Sequence, residues 1–350
     1  MRIGIMTFHW ATNYGAVLQA YALVKLLHQM GYDAEDIDYV PSRVMRKLRF
    51  FDVYLRRFQN IKRAAKFRSF RKKYLTVSDE TYRSRKALDQ IGNTYDAVIT
   101  GSDQIWNESF LMTAEKEPVL SYFLDFIPND VKRISYAASF GTNEFSENLR
   151  RFAIPALRRF DVISLREENA VQMLAQEGIN ASVVCDPTLL LEPEDYEPIV
   201  QDGVTKPVTL FNFILRRGQE SSVKTEEYAR TQLFCGKPNI GQGIVTVQQW
   251  LWLLKNCEYV VTDSFHCVVF AILFHKPFVA VNDRSCSMNA RIRTLTEYLG
   301  LTDRVIEEYD VEKIDRLVRE RDIRWDSVDE ARRGWAAKSA ADLSRWLEDK

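Results

Sequence analysis

The feature that most constrains the fold is a repeated alternation of short aliphatic runs with longer apolar helical patterns. It begins at once. "RIGIMTF" (2–8) reads as a strand, "NYGAVLQAYALVKLLHQMG" (13–31) as a turn and a nearly all-apolar helix, and "DAEDIDYV" (33–40) as the next strand. Gly15 marks the tight turn that opens this helix and Gly31 its C-cap. "YDAVITGSDQIW", "RISYAASFG", "FDVISLREENAVQMLAQEG" and "ASVVCDPTLLL" continue the series, and a second series runs from "KPVTLFNFIL" to "TVQQWLWLLKNCEYVVTDSFHCVVFAILFHKPFVAV". Strands that alternate with helices predict parallel sheets with crossover helices. A chain of 350 residues exceeds what one core usually holds. The expected fold class is therefore α/β, with two Rossmann-like domains facing a cleft. The acidic, proline-containing stretch 192–207 is the expected linker. It gives an N-terminal domain over 1–190, a C-terminal domain over 191–325, and a C-terminal helix over 326–350 that packs back on the first domain.

Charge excludes some functions. Lys+Arg and Asp+Glu balance at 48 each, so no global field favours nucleic acid. The N-terminal apolar run is too short for a signal peptide, and no run reaches the length of a membrane span. Five scattered cysteines without CxxC spacing fit reduced thiols in a cytoplasmic protein and give no zinc pattern. One segment breaks the balance. Residues 43–73 hold thirteen Lys/Arg against the single acid Asp52, with aromatic and aliphatic residues between them. This is a basic, amphipathic, helical arm. It suits an anionic membrane surface or a lipid-linked substrate; the alternatives are a solvated arm packed on its own domain and, less well supported by the rest of the chain, nucleic acid.

Ligands in open α/β sheets bind beyond the carboxyl ends of the strands, and five motifs fall there. In "HWATNYGAVLQ", His9, Asn13, Tyr14 and Gly15 form a polar entry to a helix, suited to sugar hydroxyls or to simple capping. In "TGSDQIWN", Gly101 permits close backbone approach, Asp103 accepts a hydroxyl proton and Trp106 offers a stacking face; an Asx-turn over a core tryptophan is the alternative. Arg166 in "SLREENA" is either an anion ligand or half of a local ion pair. Arg216 and Arg217 follow the first strand of the second series and suit a phosphate or carboxylate. In "TDSFHC", Asp263 and Ser264 are N-cap residue types, and His266 stands where the turn becomes an apolar helix. A helix N-terminus disfavours a protonated histidine and favours a bound anion.

Taken in order, "NYGAVLQAYAL", "GSDQIWN", "YAASFG", "SLREENA", "CDPTLLL" and "TDSFHCVVFAILFHKPFVAV" resemble the polysaccharide pyruvyl transferase family over roughly residues 3–282. The resemblance implies a GT-B-like fold. It also implies transfer of pyruvate from phosphoenolpyruvate to two hydroxyls of a sugar, with a cyclic ketal formed and phosphate released. It places the acceptor on the first domain and phosphoenolpyruvate on the second. The family's donor-linked histidine maps to His266, beside Ser264 and Phe265, and its donor-linked arginine to Arg216 or Arg217. Phosphoenolpyruvate is the co-substrate, and no cofactor or metal is expected. His266 is the expected general acid/base and Asp103 the residue that activates the acceptor hydroxyl. His9, Asn13, Tyr14, Gly15, Gly101 and Trp106 form the expected acceptor side, with Arg166 a further anion candidate. Joined to the basic arm, this implies surface-polysaccharide synthesis on a polyprenyl-pyrophosphate-linked sugar at the inner membrane face. Two alternatives keep the fold: a glycosyltransferase that uses a nucleotide-sugar, and a non-catalytic carbohydrate-binding protein.

Overall fold

The computed structural model describes residues 1–41, 55–111, 119–200, 209–215, 245–282, 290–307, 310–320 and 322–349, with only the backbone described for 55–61 and 311. Two compact units emerge. The first holds residues 1–60, 68–190 and 335–350; the second holds 61–67 and 191–334.

The first unit is built on a six-stranded parallel sheet. Its strands are β1 (Arg2–Met6), β2 (Asp33–Asp36), β3 (Ala97–Thr100), β4 (Lys132–Ala138), β5 (Val162–Leu165) and β6 (Ser182–Val183), in the order β2-β1-β3-β4-β5-β6. Every residue of β3 and all but the first of β4 are buried. Strands buried on both faces are the mark of a parallel sheet under helices. The order reverses between β1 and β3, and that reversal is the topological switch point where such sheets open a crevice. Helix α1 (Tyr14–Gln29) makes the first crossover; Asn13 caps it by accepting from the Gly15 and Ala16 N–H groups, and twelve of its residues are buried. Helix α2 (Leu55–Tyr74) is the described part of the basic arm; residues 43–54 lie outside the described residues. The turns α3 (Arg85–Leu88) and α4 (Glu108–Leu111) flank β3, and helices α5 (Glu147–Leu157) and α6 (Glu168–Gln176) follow β4 and β5.

The second unit carries β7 (Leu210–Phe213), β8 (Tyr259–Thr262), β9 (Phe278–Val281) and β10 (Val305–Ile306), parallel and in the order β10-β9-β8-β7. Helix α7 (Val247–Asn256) precedes β8, with a capping box between Thr246 and Gln249. Helix α8 (Phe265–Leu273) is buried along all nine residues, as its unbroken apolar sequence demands. Helices α9 (Ala290–Tyr298) and α10 (Val311–Arg319) complete the covering. Helix α11 (Trp325–Glu348) has residues in both units, with the division after Gly334.

Candidate functional site

In each unit a group of buried polar residues lies at the C-terminal ends of the strands. In the first unit several of them bond to one another. Asp186, fully buried after β6, accepts from Arg166 Nη1 at 2.7 Å and from Ser102 Oγ at 2.8 Å, while its other oxygen accepts from the Thr188 hydroxyl and N–H. Ser139 Oγ donates to Glu167 at 2.8 Å. Thr7 Oγ1 donates to the Ser102 carbonyl and accepts from Gln19 Nε2, which stitches β1 to β3. Arg166 is therefore neutralised inside the protein at 1% exposure, and the anion-ligand reading gives way to the ion-pair reading. Asp103 is the exception. It is partly exposed, its Oδ1 accepts from the Gln104 N–H, and Arg166 Nη2 lies 3.7 Å away. It also holds φ at +82°, a conformation that costs a non-glycine residue about 1–3 kcal/mol and concentrates at functional positions.

Two expected acceptor contacts are corrected. Trp106 is fully buried, stacked on Phe123 with centroids 5.4 Å apart, and donates its indole N–H to the Tyr122 carbonyl. A face enclosed in this way cannot meet a sugar. At Gly101, an added Cβ would lie 3.1 Å from Thr7 Cβ, so the missing side chain makes room for β1. Asn13 serves as a helix cap, and Tyr14 and Gly15 are buried in the first turn behind it.

His9 is also buried, at 1% exposure. Its Nε2 lies 2.9 Å from Asp38 Oδ1 and its Nδ1 3.3 Å from the Thr7 carbonyl, so both ring nitrogens are taken up within the protein. Burial raises the Asp38 carboxyl, but hydrogen bonds from His9 and Thr81, with the charges of His9 and Arg71, outweigh it and hold it below its ordinary range. Asp36 behaves in the opposite way. Its carboxylate is fully buried with neither oxygen hydrogen-bonded, and burial pushes it up to about 7 although His9 pulls against the shift. The folded value lies above the unfolded one. The folded protein thus binds the proton more tightly between about pH 4 and 7; stability is greatest at the acid end, declines through that window and levels off above it. Asp36→Asn is expected to raise stability at pH 8 by on the order of 3–4 kcal/mol and to leave it unchanged near pH 4. Urea unfolding of both proteins at the two pH values checks this, and an equal difference at both would contradict it.

In the second unit, β8 leads into "DSFH". Asp263 is fully buried and accepts the Leu215 N–H at 2.7 Å, which ties the turn to the end of β7. Thr262 Oγ1 donates to the Phe213 carbonyl and accepts the Ser264 N–H. Ser264 takes the N-cap position without a side-chain cap bond. His266 follows in the first turn of α8, 7% exposed, with its ring edge-on to Phe265 at 5.2 Å. The Arg291 guanidinium lies 5.7 Å from the other partner of that pair, the Phe265 ring. Asn282, the residue after β9, was not singled out from sequence. It is 1% exposed, and neither atom of its side-chain amide has a hydrogen-bond partner. A buried amide left in this state costs about 1–3 kcal/mol. The signal was an Asn ending a buried aliphatic strand.

Cys267, next to His266, is fully buried and its thiol is pushed well above its ordinary range; Cys185 and Cys257 are pushed up to about 12 by burial. None is a nucleophile in this state. Arg216 and Arg217 lie outside the described residues. No group of His, Cys, Asp and Glu suited to a metal ion occurs among the described residues.

The family model described as Polysaccharide pyruvyl transferase matches residues 13–285. No curated protein matches the chain. Among solved structures, UDP-N-acetylglucosamine 2-epimerase from Rickettsia bellii is 10% identical with a TM-score of 0.56, over 99% of this chain and 95% of that one. UDP-GlcNAc 2-epimerase from Methanocaldococcus jannaschii is 12% identical with a TM-score of 0.53, over 98% and 99%. An alpha-glucosyltransferase in complex with UDP and a 13-mer DNA is 11% identical with a TM-score of 0.53, over the whole of both chains. At such identities the likeness is one of fold, α/β with two Rossmann-like units of the GT-B type.

Proposed function

This chain belongs to the polysaccharide pyruvyl transferase family, and from that premise we propose that it moves the pyruvyl group of phosphoenolpyruvate onto two hydroxyls of a lipid-linked sugar. The observation that carries the reading is the position of His266. It stands in the first turn of a fully buried helix, directly beyond a parallel strand, where backbone N–H groups lack partners within the helix. That turn suits the phosphate and carboxylate of the donor. Asn282, at the end of the neighbouring strand, brings an amide with unused hydrogen-bonding capacity.

The reaction then runs as follows. His266 gives a proton to C3 of phosphoenolpyruvate, and C2 becomes electrophilic. The first sugar hydroxyl attacks C2 and its proton returns to the base. The C2–O bond to phosphate breaks, and the second hydroxyl closes the ketal. One hydroxyl proton ends on the new methyl group and the other on inorganic phosphate, so no oxidant or water is consumed. Imidazole is suited to both transfers because its ordinary range spans neutrality. Asp103, in the loop after β3 with a side-chain exposure of 16%, is the proposed acceptor-side carboxylate, and its positive φ supports a functional role. Arg216 and Arg217 would supply donor cations.

The lipid-linked acceptor rests on α2. Lys62, Arg63, Arg68, Lys72 and Lys73 are exposed, whereas Phe67 and Phe70 are fully buried. Those two aromatics are therefore not available for insertion between lipids; this half of the arm is amphipathic with its aromatic side packed on protein and its basic side exposed. Contact with an anionic inner membrane face would be electrostatic. No described helix is long and apolar enough to cross a membrane.

The test is phosphate release from phosphoenolpyruvate with lipid-linked and soluble galactose, glucose and mannose acceptors, and product mass for the ketal. Release that depends on acceptor, fastest with a lipid-linked sugar, is expected. Turnover with a nucleotide-sugar instead would replace this reading.

A further inference from the structure

The first unit presents aromatic side chains at its switch point that stand on the edge of its core, with Phe8 packed against that core, and that the donor chemistry does not use. Phe8 and Trp10 follow β1, and Phe110 lies in α4 after β3. Phe8 and Trp10 are half-buried, and Phe110 is 50% exposed. Phe8 stands between the other two, edge-on to both, with centroids 6.0 Å from Trp10 and 6.2 Å from Phe110. Buried Tyr122 backs the group. Its ring lies edge-on to Phe8 at 4.9 Å, and its hydroxyl accepts the Trp10 indole N–H at 3.2 Å. The backbone is held as well, because Arg71 Nη1 donates to the Trp10 carbonyl at 2.8 Å. The same guanidinium helps hold Asp38 in its ionised form, and that carboxylate keeps a side-chain exposure of 22%.

These are the attributes of a recognition surface. The indole N–H is already satisfied by the Tyr122 hydroxyl, so the contacts left to the half-buried ring are apolar. The ring is fixed before binding, so little conformational entropy is lost on contact. A face rich in C–H bonds suits it, and a carboxylate with lone pairs to spare suits hydroxyls. A pyranose ring has both, an apolar C–H face and a rim of hydroxyls. Phe8 and Trp10 also precede the stretch matched by the family model, which begins at residue 13.

We propose that Trp10 and Phe110, flanking Phe8, form the platform on which a pyranose of the acceptor stacks, with Asp38 at its hydroxyl edge. This deepens the reading given under Proposed function and rests on it for the identity of the sugar as acceptor. Trp10, not Trp106, is the stacking tryptophan.

Saturation-transfer NMR on the full chain, with the methyl glycosides of galactose, glucose and mannose as probes, tests the contact without turnover. Transfer to C–H protons of at least one probe is expected with the wild type, is lost in Trp10→Ala and Phe110→Ala, and is largely restored in Trp10→Phe. In the phosphate-release assay, Trp10→Ala is expected to raise the acceptor KM about 10- to 100-fold, with kcat and the KM for phosphoenolpyruvate little changed. Should Trp10→Ala fail to fold, Phe110→Ala carries both measurements, since its half-exposed ring makes a smaller contribution to packing. Ketal formation with an unchanged acceptor KM in the variants would overturn the platform and leave the reaction standing. Probe contact at Trp10 without any ketal product would do the reverse. No probe contact in the wild type also overturns the platform.

Discussion

Replacing His266 with alanine is expected to lower the rate of ketal formation by about 10²- to 10⁴-fold, the usual worth of a positioned proton donor. The loss should appear in kcat as well as kcat/KM, because proton transfer to C3 happens only on the way to the transition state. His266→Gln should be as inactive: glutamine keeps hydrogen bonds but cannot shuttle a proton. The fold should survive either change. His266 sits in the first turn of α8, and seven further buried residues, Cys267 to Leu273, follow it in the helix. Circular dichroism and thermal unfolding separate a chemical loss from a structural one. A folded His266→Ala protein that releases phosphate at the wild-type rate would remove His266 from the chemistry.

The largest expected loss of stability comes from the opposite kind of residue. Arg166→Met should destabilise the first unit by roughly 3–5 kcal/mol, because it leaves the Asp186 carboxylate buried without its cation. Asp186 has no exposure to recover hydration, and the hydroxyls of Ser102 and Thr188 are dipoles, not charges. The double variant Arg166→Met/Asp186→Asn should recover much of the loss, since no isolated charge remains. Urea unfolding midpoints of the single and double variants measure the difference. A single variant within about 1 kcal/mol of wild type would show that the pair is not the keystone of this network.

The contrast between these residues explains what could be read in advance. The alternation of strands and helices, the Asn13 cap and the all-apolar helix behind His266 are local properties. Each is set by periodicity or by a side chain that bonds its own neighbourhood, and sequence carries both. The position of His266 at a strand end follows from the same local pattern. Arg166 was not legible in this way. An arginine after a strand can face a ligand or a carboxylate, and Asp186 lies twenty residues away on the loop after another strand. Trp106 and Trp10 make the same point. Both are tryptophans in polar loops beyond adjacent parallel strands. Trp106 turns inward because Phe123 and Phe140 give its ring an aromatic pocket and the Tyr122 carbonyl takes its N–H. Trp10 is only half-buried, with its N–H bonded to the Tyr122 hydroxyl.

The sequence by itself thus determined the α/β class, the family motifs and the histidine at the head of α8, because these depend on residues within one turn or one strand of each other. The tertiary structure alone decided which charges are spent on one another, which tryptophan is core, and that the Asn282 amide is buried unbonded. Those outcomes depend on distances between residues far apart in the chain, and hydrophobic periodicity records only which way a residue faces, not what it meets there.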